Sequence, residues 1–344
     1  AISCIAIKWI FGSSPKMTFF ELIGQPQFFC MENFMALLEM AGDVLAHDPV
    51  IAKENGIYYC YSTHGYFYMS EDLKSWKYGG KIFEGLPFWV REAVPANDGK
   101  DLWAPEIVFR NGQWRFYYAV STFGKNVSAI GMAVNKTLNP SSPDYEWKDC
   151  GLVVKSDEKD NFNAIDPAVC ADESGADWLM FGSFWGGLVM LPLDEKGFVK
   201  PDSRPIFVAS RQKEGEGQPD PNPVEGGFIF SHGGRYYLFA SHDFCCRGTA
   251  SSYHIVYGVA DKITGPYIDE DGIDMRWGGG TTLRDSFTFK RWAGPGHNTV
   301  FKDDDGKKYL VYHAYDREDE GRSKLMLEEA DYLFTTRTSR TLAP

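Results

Sequence analysis

From residue 41 onward, apolar and aromatic residues come in short alternating runs punctuated by Gly, Asn and Asp, the signature of strands joined by tight turns. One pattern recurs five times: Glu54-Asn-Gly-Ile-Tyr-Tyr-Cys-Tyr-Ser62, Asn111-Gly-Gln-Trp-Arg-Phe-Tyr-Tyr-Ala119, Ser174-Gly-Ala-Asp-Trp-Leu-Met-Phe-Gly182, His232-Gly-Gly-Arg-Tyr-Tyr-Leu-Phe-Ala240 and Asp305-Gly-Lys-Lys-Tyr-Leu-Val-Tyr-His313. Each copy opens on a Gly-containing turn that supplies positive φ, and each follows a short apolar run such as Pro49-Val-Ile51 or Thr299-Val-Phe301. Every copy therefore predicts a hairpin.

The copies are spaced by about 60 residues, longer for the last, which leaves room for two further strands per unit. This predicts an all-β, five-bladed β-propeller of four-stranded antiparallel blades over residues 41–344. A β-sandwich would also contain hairpins, but it does not predict a regular long period. Residues 1–40 read as an N-terminal extension, in which Met31-Glu-Asn-Phe-Met-Ala-Leu-Leu-Glu-Met40 has helical spacing and no β-branched residue.

Composition narrows the function classes. With 35 Lys and Arg against 47 Asp and Glu, the formal charge of -12 opposes binding to nucleic acid. No run reaches the roughly 18 apolar residues needed to span a bilayer, so a membrane role is not expected. Ala1 to Phe11 is apolar but lacks a basic start and a small-x-small cleavage site, and is not read as a signal peptide. The seven cysteines form no C-x-x-C pair, which disfavours zinc ribbons and thioredoxin-like chemistry, and Cys245-Cys246 reads as two small buried hydrophobes.

A polar residue in a short motif precedes each copy: Ala46-His-Asp48-Pro, Trp103-Ala-Pro-Glu106, Ala164-Ile-Asp166-Pro, Val224-Glu225-Gly-Gly and Gly294-Pro-Gly-His297-Asn. The innermost strands of a propeller line its channel, so residues at equivalent strand starts converge at one end of the axis. Four carboxylates and a histidine are expected to meet there. Singly, an Asp before Pro is a turn initiator or cap. Gathered together, like charges repel and raise one another's pKa, a cost that active sites bear and stability alone does not require. Clustered acids serve glycoside hydrolysis, which needs a proton donor and a second carboxylate, or a hard cation such as Ca²⁺. No G-x-S-x-G, H-E-x-x-H or P-loop motif occurs.

From about Asp43 to at least Asp316 the chain resembles the arabinanases of glycoside hydrolase family 43. The motifs above carry the resemblance, with Phe181-Gly-Ser-Phe-Trp-Gly-Gly187, Cys245-Cys-Arg-Gly248, Ile263-Thr-Gly-Pro-Tyr267, Gly278-Gly-Gly-Thr281 and Tyr312-His-Ala-Tyr-Asp316. The resemblance implies an inverting mechanism with Asp48 as general base, Glu225 as general acid and Asp166 orienting that acid and tuning its pKa. It implies that His297, with waters, holds a central ion, usually Ca²⁺. It implies further that Trp103, Glu106, Phe184 and Trp185 contribute to sugar binding. Glu106 stands where relatives commonly carry Asp, and Gly226-Gly227 after the acid suggests a looser loop there.

The activity so implied is endo cleavage of α-1,5-linked arabinan by a monomer, extracellular or periplasmic, otherwise cytoplasmic. Exo-arabinanase, α-L-arabinofuranosidase and β-xylosidase are the alternatives on the same scaffold. A non-catalytic carbohydrate-binding propeller predicts loss of an acid, and none is lost.

Overall fold

The computed structural model describes residues 37–42, 44–97, 101–287 and 290–335. They form five antiparallel sheets taken in chain order around one axis, as the repeat predicts. Blade one comprises Val50–Glu54, Ile57–Tyr61, Tyr66–Ser70 and Lys77–Lys81, and blade two Trp103–Arg110, Gln113–Val120, Ser128–Asn135 and Lys148–Ser156. Blade three comprises Ala168–Ala171, Asp177–Phe181, Leu188–Pro192 and Ile206–Ala209. Blade four comprises Val224–His232, Arg235–His242, His254–Ala260 and Thr281–Arg284, and blade five Trp292–Lys302, Lys308–Asp316 and Ser323–Glu329.

The turn chemistry explains the hairpins. Asn55 and Gly56 both take positive φ, 49° and 83°, and so do Asn111 and Gly112, at 52° and 77°. Two consecutive left-handed residues twist the chain in the sense of the flanking strands, closing Glu54 onto Ile57 and Arg110 onto Gln113.

Among the described residues blade five has three strands, and its outer edge is covered by the chain that precedes blade one. Leu37 and Leu45 bridge to Glu328 and Lys324, while the Leu38 amide donates to Leu327 O and the Leu325 amide to Val44 O, each at 2.9 Å. Of the helix expected over Met31–Met40, residues 31–36 lie outside the described residues. Leu37 and Leu38 are extended and pair with a strand, so for them the open edge of blade five overrides local helical spacing. The boundary drawn at residue 40 thus falls inside a segment that belongs to the propeller.

Five hydrophobic clusters fill the five junctions between neighbouring blades. Val50, Tyr59 and Tyr61 of blade one meet Phe116 and Tyr118 of blade two. Equivalent clusters join blades two and three, three and four, and four and five. The last closes the ring, with Ile51, Tyr58 and Cys60 of blade one against Phe301, Tyr309 and Val311 of blade five. Polar pins reinforce the same junctions: Asp303 accepts from Tyr58 Oη at 2.6 Å and pairs with Lys53 Nζ at 2.5 Å, and Arg284 pairs with Glu328 across blades four and five.

Candidate active site

The innermost strands enter their blades through a shared backbone device. Asp48, Ala104, Asp166, Gly226 and His297 have φ of 54°, 41°, 59°, 57° and 50°. Aligned on the apolar runs that follow, they are the same position of the repeat. In blades two, four and five this position sits in a bulge of the inner hairpin, between Trp103 and Glu106, Glu225 and Phe228, and Gly296 and Thr299. Left-handed backbone costs a non-glycine residue about 1 to 3 kcal/mol, and such strain persists where the surroundings over-determine it.

This alignment corrects the expectation that all five polar residues occupy one equivalent place. Only Asp48, Asp166 and His297 do. Glu225 lies one residue before the position and Glu106 two residues beyond it. Glu106 is 4% exposed and its Oε1 accepts the Ile107 amide at 2.9 Å. Burial, partly offset by that amide, pushes its carboxyl up to about 8.

Asp48 is the most heavily partnered acid. Its Oδ2 accepts from Thr63 Oγ1 at 2.6 Å and lies 2.8 Å from His47 Nδ1, while Oδ1 lies 3.1 Å from His297 Nδ1. Its amide donates to His313 Nδ1 at 3.1 Å, so that nitrogen is the acceptor and neutral His313 carries its proton on Nε2. Burial alone would raise the Asp48 carboxyl, but the imidazoles of His47 and His297 reverse this and hold it well below the usual range. Asp48 is therefore ionised.

Glu225 has the opposite environment. Burial pushes its carboxyl up, with Ser183 Oγ, which donates to Oε2 at 2.6 Å, and His297 offsetting only part. Asp166 is linked to it through the backbone: Asp166 Oδ2 accepts the Gly226 amide at 3.1 Å. Burial, opposed by His297 and reinforced by Glu225 and Asp48, raises Asp166 to about 7. The loop after Glu225 is tight, contrary to expectation. A Cβ at Gly226 would stand 3.0 Å from His297 Nδ1, and one at Gly227 would stand 2.7 Å from Leu188.

His297 is half-buried among the three acids, its amide donating to Ser241 Oγ at 2.7 Å. Burial lowers its affinity for a proton, yet Asp48, Asp166 and Glu225 raise it to about 9. The field at this ring thus stabilises positive charge, which fits a bound cation as well as a proton. Nδ1 faces Asp48, leaving Nε2 as the ring's remaining donor.

Trp103, Phe184 and Trp185 are half-buried at the same end of the molecule. Phe184 and Trp185 both take positive φ, 56° and 40°, with the Phe184 amide bound to Val224 O and Trp185 O accepting from Asn222. Sequence reasoning missed Thr63, Ser183, His47 and His313 as partners of the acids. His313 was visible only as a member of the Tyr312-His-Ala-Tyr-Asp316 motif. Cys246, read as a buried hydrophobe, is exposed, and Cys245 is half-buried.

The family model for glycosyl hydrolases family 43 matches residues 42–337. The chain is 43% identical over 295 residues to the extracellular exo-α-(1→5)-L-arabinofuranosidase ArbA of Cellvibrio japonicus, covering 83% of this chain and 84% of that one. It is 38% identical over 298 residues to the extracellular endo-α-(1→5)-L-arabinanase 1 of Bacillus subtilis, covering 85% and 87%. Among solved structures, the α-L-arabinanase of Cellvibrio cellulosa complexed with arabinohexaose superposes with a TM-score of 0.78 at 42% identity, covering 83% of this chain and 92% of that one. The match of sequence model, propeller and convergent acids has one reading: the chain belongs to glycosyl hydrolases family 43.

Proposed function

We propose that this glycosyl hydrolase is an inverting arabinanase that cleaves α-1,5-linked L-arabinofuranosyl bonds, endo-acting, in arabinan outside the cell. The observation that carries the mechanism is the split between two buried carboxyls: Asp48 is held ionised by two imidazoles, while Glu225 is pushed toward its protonated form. An ionised carboxylate takes a proton and a protonated one gives it, so the pair supplies both halves of a single displacement. Asp48 removes a proton from water as its oxygen attacks the anomeric carbon. The glycosidic C–O bond breaks, and Glu225 delivers its proton to the departing sugar oxygen. Asp166, bound to the amide next to Glu225, orients that acid and favours its protonated form.

The substrate class and the location follow the names of the relatives, two of which are called extracellular, one an exo-α-(1→5)-L-arabinofuranosidase and the other an endo-α-(1→5)-L-arabinanase. An exo-acting reading is favoured by the more similar of the two, the 43% identical arabinofuranosidase. We place one Ca²⁺ at His297 Nε2, completed by waters, where the negative field of the acids stabilises it. When bound, such an ion supplies fixed positive charge beside the acids.

Linear arabinan, an aryl arabinofuranoside and an aryl xyloside, each incubated with the protein and the products sized over time, test the assignment. Mixed oligomers early in the reaction are expected. Release of only monomer, dimer or trimer from the outset means exo action, and cleavage of the xyloside alone would refute the arabinan assignment.

A further inference from the structure

We propose that Cys245, Cys246 and His47 form a binding site for a thiophilic divalent ion such as Zn²⁺ or Cd²⁺, and that its occupation inhibits the enzyme. One ligand atom from each of these residues lies within 4.8 Å of the other two. Cys246 Sγ stands 3.8 Å from His47 Nε2. Tetrahedral Zn²⁺, with bonds of about 2.3 Å to sulfur and about 2.0 Å to nitrogen, requires such atoms to be roughly 3.5 Å apart.

Three features fix the arrangement. Cys246 takes a left-handed φ of 63°, which bends the chain so that neighbouring thiols share one side of the turn. The Cys246 amide donates to Tyr315 Oη at 2.8 Å, and that hydroxyl lies 2.9 Å from His47 Nε2, so the Cys turn and the imidazole are tied through one atom. Cys246 is exposed and Cys245 half-buried, which gives an ion access from solvent. Both thiols and the protonated His47 ring lose a proton to the buffer on binding, and the two thiolates with the neutral imidazole so formed make a soft donor set that prefers Zn²⁺ or Cd²⁺ to a hard ion. The fourth position stays open to water.

Inhibition follows from what His47 does. Its Nδ1 lies 2.8 Å from Asp48 Oδ2, so an ion on Nε2, neutral overall with its two thiolates, shifts the ring that holds the proposed base and pulls it from Tyr315. The ion site itself does not depend on the proposed reaction; only its inhibitory effect does.

Titration with Cd²⁺ reads binding through the ultraviolet thiolate-to-cadmium charge-transfer band, independently of hydrolysis, and arabinan hydrolysis is followed in parallel. One equivalent is expected to raise the band and to lower the rate about tenfold, reversed by chelator. Cys245→Ser and Cys246→Ser should keep basal activity and lose both responses. A variant with Cys4, Cys30 and Cys150 replaced by Ser should keep both. Band and inhibition that survive in the Cys245 and Cys246 variants, or absence of stoichiometric binding to the parent protein, would overturn the proposal. A protein that binds Cd²⁺ but hydrolyses no arabinoside would instead refute the function proposed above.

Discussion

Asp166 Oδ2 accepts the backbone amide of Gly226 at 3.1 Å, so a carboxylate on blade three holds the peptide that carries Glu225 on blade four. Asparagine can keep this hydrogen bond but not the charge. Asp166→Asn should therefore fold normally and let Glu225 ionise more easily, moving the alkaline limb of kcat/KM to lower pH and cutting the rate at neutral pH by about 10²-fold. An unchanged alkaline limb would show that the two carboxyls do not communicate.

Ser183 acts in the opposite sense. Its hydroxyl donates to Glu225 Oε2 at 2.6 Å and favours the ionised form. Ser183→Ala should raise the alkaline limb of kcat/KM, with a modest loss of rate from poorer orientation of the acid. The contrasting directions in the two pH profiles separate charge effects from general damage to the site.

The division of labour between Asp48 and Glu225 is tested by the leaving group. Glu225→Ala should nearly abolish hydrolysis of arabinan, whose sugar alkoxide needs a proton, while sparing an activated aryl arabinofuranoside that departs unaided. Asp48→Ala should impair both substrates, because water activation is lost in each. Proton NMR of the first-formed sugar checks the stereochemistry, and retained configuration would exclude the proposed single displacement.

Removal of the cation proposed at His297 should lower both activity and Tm, and the loss should be restored by Ca²⁺. His297→Ala should mimic chelation and abolish its further effect. The ring holds a proton to about 9 when no ion is present, so ion binding must displace that proton and should strengthen as pH rises. Elemental analysis with no stoichiometric metal, and EDTA without effect, would count against the site.

Arg284 and Glu328 pin blade four to blade five at 2% and 0% exposure, with Nε to Oε2 at 2.8 Å and the hydroxyls of Tyr312 and Tyr332 in the same network. Arg284→Met would strand the Glu328 carboxylate without its counter-charge. A loss of about 3 to 5 kcal/mol is expected, seen as a lower urea midpoint with an unchanged slope.

The hairpins were legible because Asn55-Gly56 and Asn111-Gly112 encode their turns locally, and the five-fold repeat made the ring legible in turn. The acids were legible as motifs, but their relative register was not. Glu225 and Glu106 stand one residue before and two residues beyond the left-handed position that Asp48 takes, which Gly226 and Ala104 fill in their blades, and nothing in the motifs marks that backbone position beyond small residues and Pro. Thr63 and His313 escaped for another reason. Thr63 reaches Asp48 across the turns of its own blade, 15 positions on, and His313 from 265 positions away, across the junction that closes the ring.

The strap that covers the edge of blade five continues into the site. Ala46 pairs with Ser323 through its amide at 3.3 Å and its carbonyl at 2.5 Å, and Asp48 follows two residues later. One length of chain is thus both the latch of the ring and the mount of the proposed base. If it lifts, Leu325 and Leu327 become part of an open edge, a template for pairing with another molecule, in the same event that unseats His47 and Asp48. Thermal inactivation and the onset of aggregation should then share one midpoint, and a strap seated on the edge of a second copy would bring one chain's Asp48 to another chain's His297.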